Sequence, residues 1–330
     1  MAAVLGLDIG GANLKAAHTD GRALSVPFAL WKDPALLPHA LRRLLHEMPP
    51  ADVLAVTMTG ELCDCFESKR QGVRAILDAV AAVAGQTPVR VWRNDGQFVD
   101  AATARSAPLQ VAAANWLALA TFLGPYTEGW PGVLVDIGST TTDIVPLLNK
   151  RPTPQGRTDP ERFRLRELLY TGVRRTPLCG LLGNDVAAEV FATTLDVYLV
   201  LGWLPEDADD RNTADGRPAT RAAAHARLAR MICADLETST QEERQRLAER
   251  AATRQVSLIG EALDLVLDRI LVGDTLLTVL LGGEGEFLAQ RAVHEQGLHP
   301  IKEILVSEYL SPYISRAACA YAVAMLAAKE

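Results

Sequence analysis

The sequence predicts a two-lobed α/β protein with a ligand cleft between the lobes. Three observations predict it. Short apolar runs alternate with stretches of helical periodicity along the chain. The pattern of apolar run, Asp-Ile-Gly turn and second run occurs twice, at Asp8 and again at Asp136, 128 positions apart. A third Gly-rich turn, Gly282-Gly283-Glu284-Gly285, closes a late apolar run. With 330 residues and 49% hydrophobic content, the chain can bury more than one sizeable core.

The elements follow in order. Val4 to Leu7 reads as a strand that stops at Asp8-Ile9-Gly10-Gly11, and Asn13 to His18 returns as its hairpin partner before Asp20-Gly21. Ala35 to Glu47 has helical spacing and ends at Pro49-Pro50. Val53 to Thr57 is a buried strand, Gly72 to Ala84 a helix, and Val89 to Trp92 a strand stopped by Asn94-Asp95-Gly96. Ala101 to Leu123 is helical in two pieces, because Pro108 interrupts it. The second copy runs from Gly132 to Val135 through Asp136-Ile-Gly-Ser-Thr-Thr-Thr-Asp143 into Ile144 to Leu148. Pro152 to Pro160 reads as a loop, Asn184 to Ala192 as a helix and Leu195 to Leu201 as a strand. Pro205 to Pro218 is acidic and rich in turn formers, which predicts an exposed, mobile loop. Ala219 to Leu236 and Thr240 to Ile270 have helical spacing. Thr275 to Leu281 is the last buried strand, and Ser315 to Lys329 an Ala-rich closing helix.

Composition narrows the function. A net charge of −7 and a pI of about 5.5 disfavour a nucleic-acid partner. The five cysteines are odd in number and sparse, which points to reduced thiols and a cytoplasmic setting. Cys63-Asp64-Cys65 is a lone pair that does not complete a zinc site. The N-terminal run is interrupted at Asp8 and reads as a strand rather than a leader. Val111 to Leu123 is too short to span a bilayer, so no membrane partner is expected.

The chemistry concentrates at the turns. Gly10 and Gly11 can take positive φ and leave bare backbone, so that N–H groups, with Asn13 beside them, can form an anion nest. Lys15 adds a point charge for phosphate. Asp8 faces phosphate favourably only through a hydrated Mg²⁺. At the second turn Asp136 takes the corresponding place, Gly138 permits the turn, and Ser139, Thr140 and Thr141 offer hydroxyl and N–H groups, with Asp143 following. Gly282 and Gly283 add a third Gly-rich turn after a buried strand. Two facing turns of this kind would hold a diphosphate or triphosphate, with Asp8 and Asp136 as metal ligands. Glu61 and Asp95 are candidate general bases or ammonium holders, although Asn94-Asp95-Gly96 is a good turn in its own right. Lys69, Asn94, Arg175 and Asp185 are candidate substrate contacts, and a solvated surface is the alternative for each.

On these motifs the chain resembles the actin/Hsp70/sugar-kinase superfamily, a two-lobed actin-like ATPase (ribonuclease H-like) fold. That resemblance implies a first lobe over residues 1–128, closed by a C-terminal helix at 312–330. It implies a second lobe over 129–311, with a helical insertion at about 205–270. Further segments carry a closer likeness: Met58-Thr-Gly-Glu-Leu62 with Cys65-Phe66 and Lys69; Asn94-Asp95-Gly96; Tyr170-Thr-Gly-Val-Arg-Arg-Thr-Pro177; and Glu189-Val-Phe-Ala-Thr-Thr-Leu-Asp196. With them the chain is similar to the hydantoinase/oxoprolinase-like family, in its tetrahydromethanopterin-linked one-carbon-transfer subgroup. The resemblance implies a methanofuran-biosynthesis activity, in which an aminomethylfuran diphosphate is joined to the phenol of a tyramine or tyrosine derivative and pyrophosphate is released. True hydantoinases favour Thr and Asp where this chain has Asn13 and Lys15. Mg²⁺ is the implied cofactor, and ATP joins it if the turns serve a nucleotide. An ATP-dependent kinase or amidohydrolase, and a nucleotide-gated scaffold, are the alternative readings.

Overall fold

The computed structural model describes residues 2–271 and 276–330. In the first half of the chain β1 (Val4–Ile9), β2 (Asn13–His18) and β3 (Ala23–Pro27) precede α1 (Leu37–Glu47), β4 (Val53–Met58) and α2 (Lys69–Ala84). Then come β5 (Val89–Trp92), β6 (Phe98–Asp100), α3 (Ala101–Ser106) and α4 (Asn115–Leu123). The six strands form one sheet in the order β3-β2-β1-β4-β5-β6. The central neighbours β1, β4 and β5 are parallel and buried, and the hairpins flank them.

The second half repeats the plan. It contains β7 (Gly132–Ile137), β8 (Thr142–Leu148), β9 (Arg151–Pro152), α5 (Asp159–Arg164), β10 (Leu168–Leu169) and α6 (Leu178–Leu182). It continues with α7 (Thr194–Leu201), α8 (Arg221–Met231), α9 (Gln241–Leu267), β11 (Thr278–Gly282) and α10 (Glu286–Glu295). It ends with β12 (Lys302–Leu305), α11 (Val306–Leu310), α12 (Pro312–Ser315) and α13 (Ala318–Ala327). The second sheet has the order β10-β8-β7-β11-β12, with β9 paired to β8.

Three apolar cores hold these layers. Helices α1 and α2 cover one face of the first sheet, through Leu41, Leu44, Val73 and Ile76 against Leu7 and Val56. Helices α7, α9 and α10 cover the outer face of the second. Between the sheets, α4 and α13 share a core with Val4 and Ala55 on one side and Leu134, Val145 and Leu280 on the other. The last helix of the chain therefore packs beside the first strand. Gly6 permits that approach: a Cβ there would meet the carbonyl oxygen of Ala320 at 1.9 Å.

Most expected elements are present, and three differ. Leu195 to Leu201 reads as a strand but forms the helix α7. Its residues from Thr194 to Val200 are all buried, so no face is marked by polarity and the pattern does not separate strand from helix. The Thr193 and Asp196 side chains close a capping box at its start. Asn184 to Ala192 is not a continuous helix; a short 3₁₀ turn at Gly183–Asp185 gives way to extended backbone at Val186. The late strand is not the last, because β12 pairs with it in parallel. That strand is observed over Thr278–Gly282, and the expected start at Thr275 lies outside the described residues. The loop at 205–218 is held by backbone bonding between Asp207 and Ala219 and by ion pairs from Asp210 and Asp215. No helix among the described residues is long and apolar enough to cross a membrane.

The Gly6 contact is testable. Gly6→Ala should destabilise the protein by about 2–3 kcal/mol, the upper part of the overpacking range, read from the midpoint of urea unfolding. Gly180→Ala, where a Cβ meets nothing within 4 Å and φ is not positive, is the control for substitution of glycine alone and should not destabilise.

Candidate active site

The two Asp-Ile-Gly hairpins share one geometry. In the first, Asp8 lies opposite Lys15 and Ile9 opposite Leu14; in the second, Asp136 lies opposite Asp143 and Ile137 opposite Thr142. The Gly10 N–H donates to the Asn13 carbonyl at 3.0 Å, and the Gly138 N–H to the Thr141 carbonyl at 2.9 Å. The offset of 128 holds at every one of these positions. The two acceptors at that offset are also used alike by later turns: the Thr59 and Gly60 N–H groups donate to the Ile9 carbonyl, and the Gly285 N–H to the Ile137 carbonyl.

None of Gly10, Gly11 and Gly138 has a positive φ, contrary to expectation. At the first hairpin the glycines are needed for space. A Cβ at Gly10 would stand 2.9 Å from the Asn13 carbonyl oxygen, and one at Gly11 would stand 2.6 Å from Cys63 Sγ. Because Gly10 and Gly138 spend their N–H groups on the turns, the nest is made by their successors. The N–H groups of Gly11, Ala12, Ser139, Thr140 and Thr141 have no backbone partner among the described residues. These are the donors left for an anion.

The hairpin ends bring Asp8, Lys15 and Asp136 into one electrostatic group. Burial raises the Asp8 carboxyl, and Lys15 partly offsets it. Burial and the neighbouring Asp143 push Asp136 up to about 7, again against the pull of Lys15. Burial works against charge on Lys15, but Asp8, Cys319, Asp136 and Glu284 together hold it above the usual lysine range. Lys15 is therefore an ammonium at neutral pH. Gly282 and Gly283 roof this group. Gly283 does take a positive φ of 85°, and a Cβ there would lie 2.7 Å from Asp136 Oδ1.

Asp8 Oδ1 is buried without a hydrogen-bond partner. Among the described residues no set of three or more His, Cys, Asp or Glu side chains forms a metal cage. Mg²⁺ needs only one or two carboxylates, with water and phosphate oxygens completing its shell. Asp8 and Asp136 fit that donor set.

A second group lies beyond β4. Glu61 is 1% exposed, and Gly72 of α2 packs on its backbone so closely that a Cβ would sit 2.2 Å from its carbonyl oxygen. Its Oε1 is 3.8 Å from Lys69 Nζ, while Oε2 has no hydrogen-bond partner. Burial pushes Glu61 up to about 7, and Lys69 restrains the rise. Lys69 also reaches across to Asp159 of α5 at 2.5 Å. The Arg175 guanidinium stacks over Trp31, 4.5 Å from the ring centre. Each contact joins the first half of the chain to the second. Asp159 and Trp31 escaped sequence reasoning because their partners are remote in the chain.

Other candidates sit elsewhere. Asp95 is in the turn between β5 and β6 and pairs with Arg93 at 2.6 Å, while the Asn94 N–H donates to the Gln110 carbonyl. Asp143 bonds Arg162, which is fully buried and stacked over Trp116; it is a structural partner rather than a ligand contact. Asp185 is exposed and pairs with Arg250 of α9. Asp185 does not stand on the expected helix, because Asn184 to Ala192 is not continuously helical. Beneath the second hairpin, the N–H groups of Val173, Arg174 and Arg175 donate to the Gly138 and Ser139 carbonyls. Gln255 of α9 donates to Thr171 Oγ1 and to the Gly172 carbonyl.

Glu61 makes stability depend on pH. Its folded value of about 7 exceeds the ordinary 4.5, so the folded state holds the proton more tightly. Its contribution is complete below about pH 4.5 and is lost as pH rises through 7, on the order of 3 kcal/mol. Glu61→Gln should flatten that decline in a urea-unfolding series from pH 4.5 to 8.

Comparison with known proteins agrees with this architecture. The sequence model of the Hydantoinase/oxoprolinase family matches residues 52–330. A Methanocaldococcus jannaschii protein is 32% identical over 99% of this chain and 98% of its own length. It is named (4-{4-[2-(gamma-L-glutamylamino)ethyl]phenoxymethyl}furan-2-yl)methanamine synthase. A Methanococcus vannielii protein of the same name is 30% identical over 60% of this chain and 91% of its own. Among solved structures, nucleotide-free acetone carboxylase aligns with a TM-score of 0.54 at 11% identity, covering 98% of this chain and 70% of that one. An archaeal actin homologue in complex with ADP aligns at 0.50 and 14% identity, covering 99% and 100%. These structural likenesses show the fold, which is that of the two-lobed actin-like ATPases. By its full-length relative and its family match, the chain belongs to the hydantoinase/oxoprolinase family.

Proposed function

We propose that this protein is an ether-forming transferase of methanofuran-type carrier synthesis. It condenses an aminomethylfuran-methyl diphosphate with the phenol of a tyramine- or tyrosine-type acceptor and releases pyrophosphate. The observation that carries this reading is the full-length relative whose named product is a phenoxymethyl furan amine. The hairpin geometry supports it, since two facing turns with free N–H groups suit a diphosphate whether or not an adenosine is attached.

In the proposed reaction the bond between the furan CH₂ and the diphosphate oxygen breaks, and its electron pair leaves with pyrophosphate. A lone pair of the phenol oxygen forms the new C–O bond. The phenol proton passes to a carboxylate. Gly11, Ala12, Ser139, Thr140 and Thr141 offer backbone N–H groups to the departing charge, and Lys15 adds a fixed ammonium. Asp8 and Asp136 would hold Mg²⁺, which when bound supplies further stabilisation of that charge. Glu61 is the base this reading favours. It has a free buried carboxylate oxygen and a value near 7, which matches a group that must accept a proton at neutral pH. Asp95, an exposed turn residue paired with Arg93, is the weaker candidate.

The test is direct. The protein with Mg²⁺, the aminomethylfuran diphosphate and either tyrosine or γ-glutamyl-tyramine should release pyrophosphate and form the ether, by mass, with no ATP present. Chelation should stop turnover and added Mg²⁺ restore it. Lys15→Met should lower kcat by about 10²-fold, the scale of losing one fixed charge-stabilising group, with circular dichroism unchanged. Absence of product with both acceptors, alongside ATP consumption, would move the assignment to an ATP-dependent enzyme.

A further inference from the structure

Helix α9 packs behind the second hairpin, against β8. Around residue 255 its buried face is apolar: Ala251, Ala252, Val256 and Ile259 flank Gln255, which is itself fully buried. A buried amide is costly unless its donors and its acceptor are all met. Both donors of Gln255 Nε2 are used, to Thr171 Oγ1 at 2.8 Å and to the Gly172 carbonyl at 2.9 Å. Oε1 accepts from the Tyr198 hydroxyl. The Gly172 carbonyl can only accept, so it fixes which end of the amide faces the hairpin.

Gly172 links that amide to the anion nest. It packs directly on the second hairpin: a Cβ there would stand 2.5 Å from the Gly138 carbonyl oxygen and 2.6 Å from the Thr140 nitrogen. The next three N–H groups, of Val173, Arg174 and Arg175, donate to the Gly138 and Ser139 carbonyls. A trans peptide is planar, with its C=O and N–H pointing opposite ways. The Gly138 carbonyl shares its plane with the Ser139 N–H, and the Ser139 carbonyl with the Thr140 N–H. Holding those two carbonyls on the floor therefore aims the two N–H groups away from it, as donors without a backbone partner among the described residues.

We propose that Gln255 is a positioning residue for the anion nest. From a helix outside the cleft, and without touching a reacting atom, it sets the aim of the Ser139 and Thr140 N–H groups through Gly172. Its effect on rate rests on the transferase reading above, in which the nest receives the departing pyrophosphate. Its effect on anion binding rests on the hairpin geometry alone. Without the amide the floor is free to shift, and misaimed donors stabilise developing charge less.

Steady-state kinetics and calorimetric titration of the full chain with pyrophosphate and Mg²⁺ test it. Gln255→Met keeps the length of the side chain and removes its hydrogen bonds. It should lower kcat by about tenfold, short of the ~10²-fold cost of deleting a donor outright. Pyrophosphate affinity should fall by about the same factor, with KM for the acceptor unchanged. Tyr198→Phe keeps both amide donors and frees only Oε1, so kcat and pyrophosphate affinity should fall together by about threefold. If Gln255 only stabilises the fold, the urea midpoints of both variants drop while kcat and pyrophosphate affinity of the folded protein stay at wild-type values. That result overturns the proposal, and Tyr198→Phe delivers it even where Gln255→Met does not fold. A raised acceptor KM with unchanged kcat would overturn it too. Absence of ether product in wild type strikes the transferase reading alone, because the pyrophosphate titration stands without it. A wild type that does not bind pyrophosphate overturns both.

Discussion

Asp8 and Asp136 stand at the ends of buried strands from opposite halves of the chain, with a single ammonium, Lys15, coupled to both. Bringing two carboxylates out of water is costly unless the opposite charge is held in place. Much of the surrounding structure serves that placement. Glycines at 10, 11, 60 and 283 leave room where any side chain would strike a hairpin atom or its neighbour. The turns are closed by their own N–H groups, so the residues after them keep their donors for a ligand.

The two hairpins share a backbone register and differ in charge. Lys15 and Asp143 occupy the same register opposite Asp8 and Asp136. Lys15 contributes its charge to the cleft, whereas Asp143 is consumed by buried Arg162, which stacks on Trp116 of the other half. The second hairpin also rests on a polar floor of Thr142, Thr171, Gly172 and Gln255, with Tyr198 bonding Gln255 from behind. Buried polar groups of this kind must be satisfied together, which fixes the turn above them. The contacts of Lys69 with Asp159 and of Arg175 with Trp31 also join the two halves, outside the charged group.

The hairpin duplication was legible because turn chemistry is local: an Asp-Ile-Gly stop after an apolar run carries its own geometry. The candidate residues on those turns are accordingly brought together. Asp95 and Asp185 were chosen by residue type near a strand or helix end, and each is held by a nearby arginine instead. The helix α7 was misread because uniform burial removes the polarity contrast on which periodicity depends, although its capping box was visible in Thr193 and Asp196.

By itself the sequence determined the α/β class, the repeated phosphate-type turns, the third Gly-rich turn and the closing helix, because each follows from local pattern. It determined the family likeness through the same segments. Only the tertiary structure decided which polar groups share a site. It alone placed Glu61 in a buried pocket beside Lys69, turned Asp143 toward Arg162, and buried Arg227 with one N–H unsatisfied. Those outcomes depend on burial and on partners many residues away, and neither quantity exists until the chain has folded.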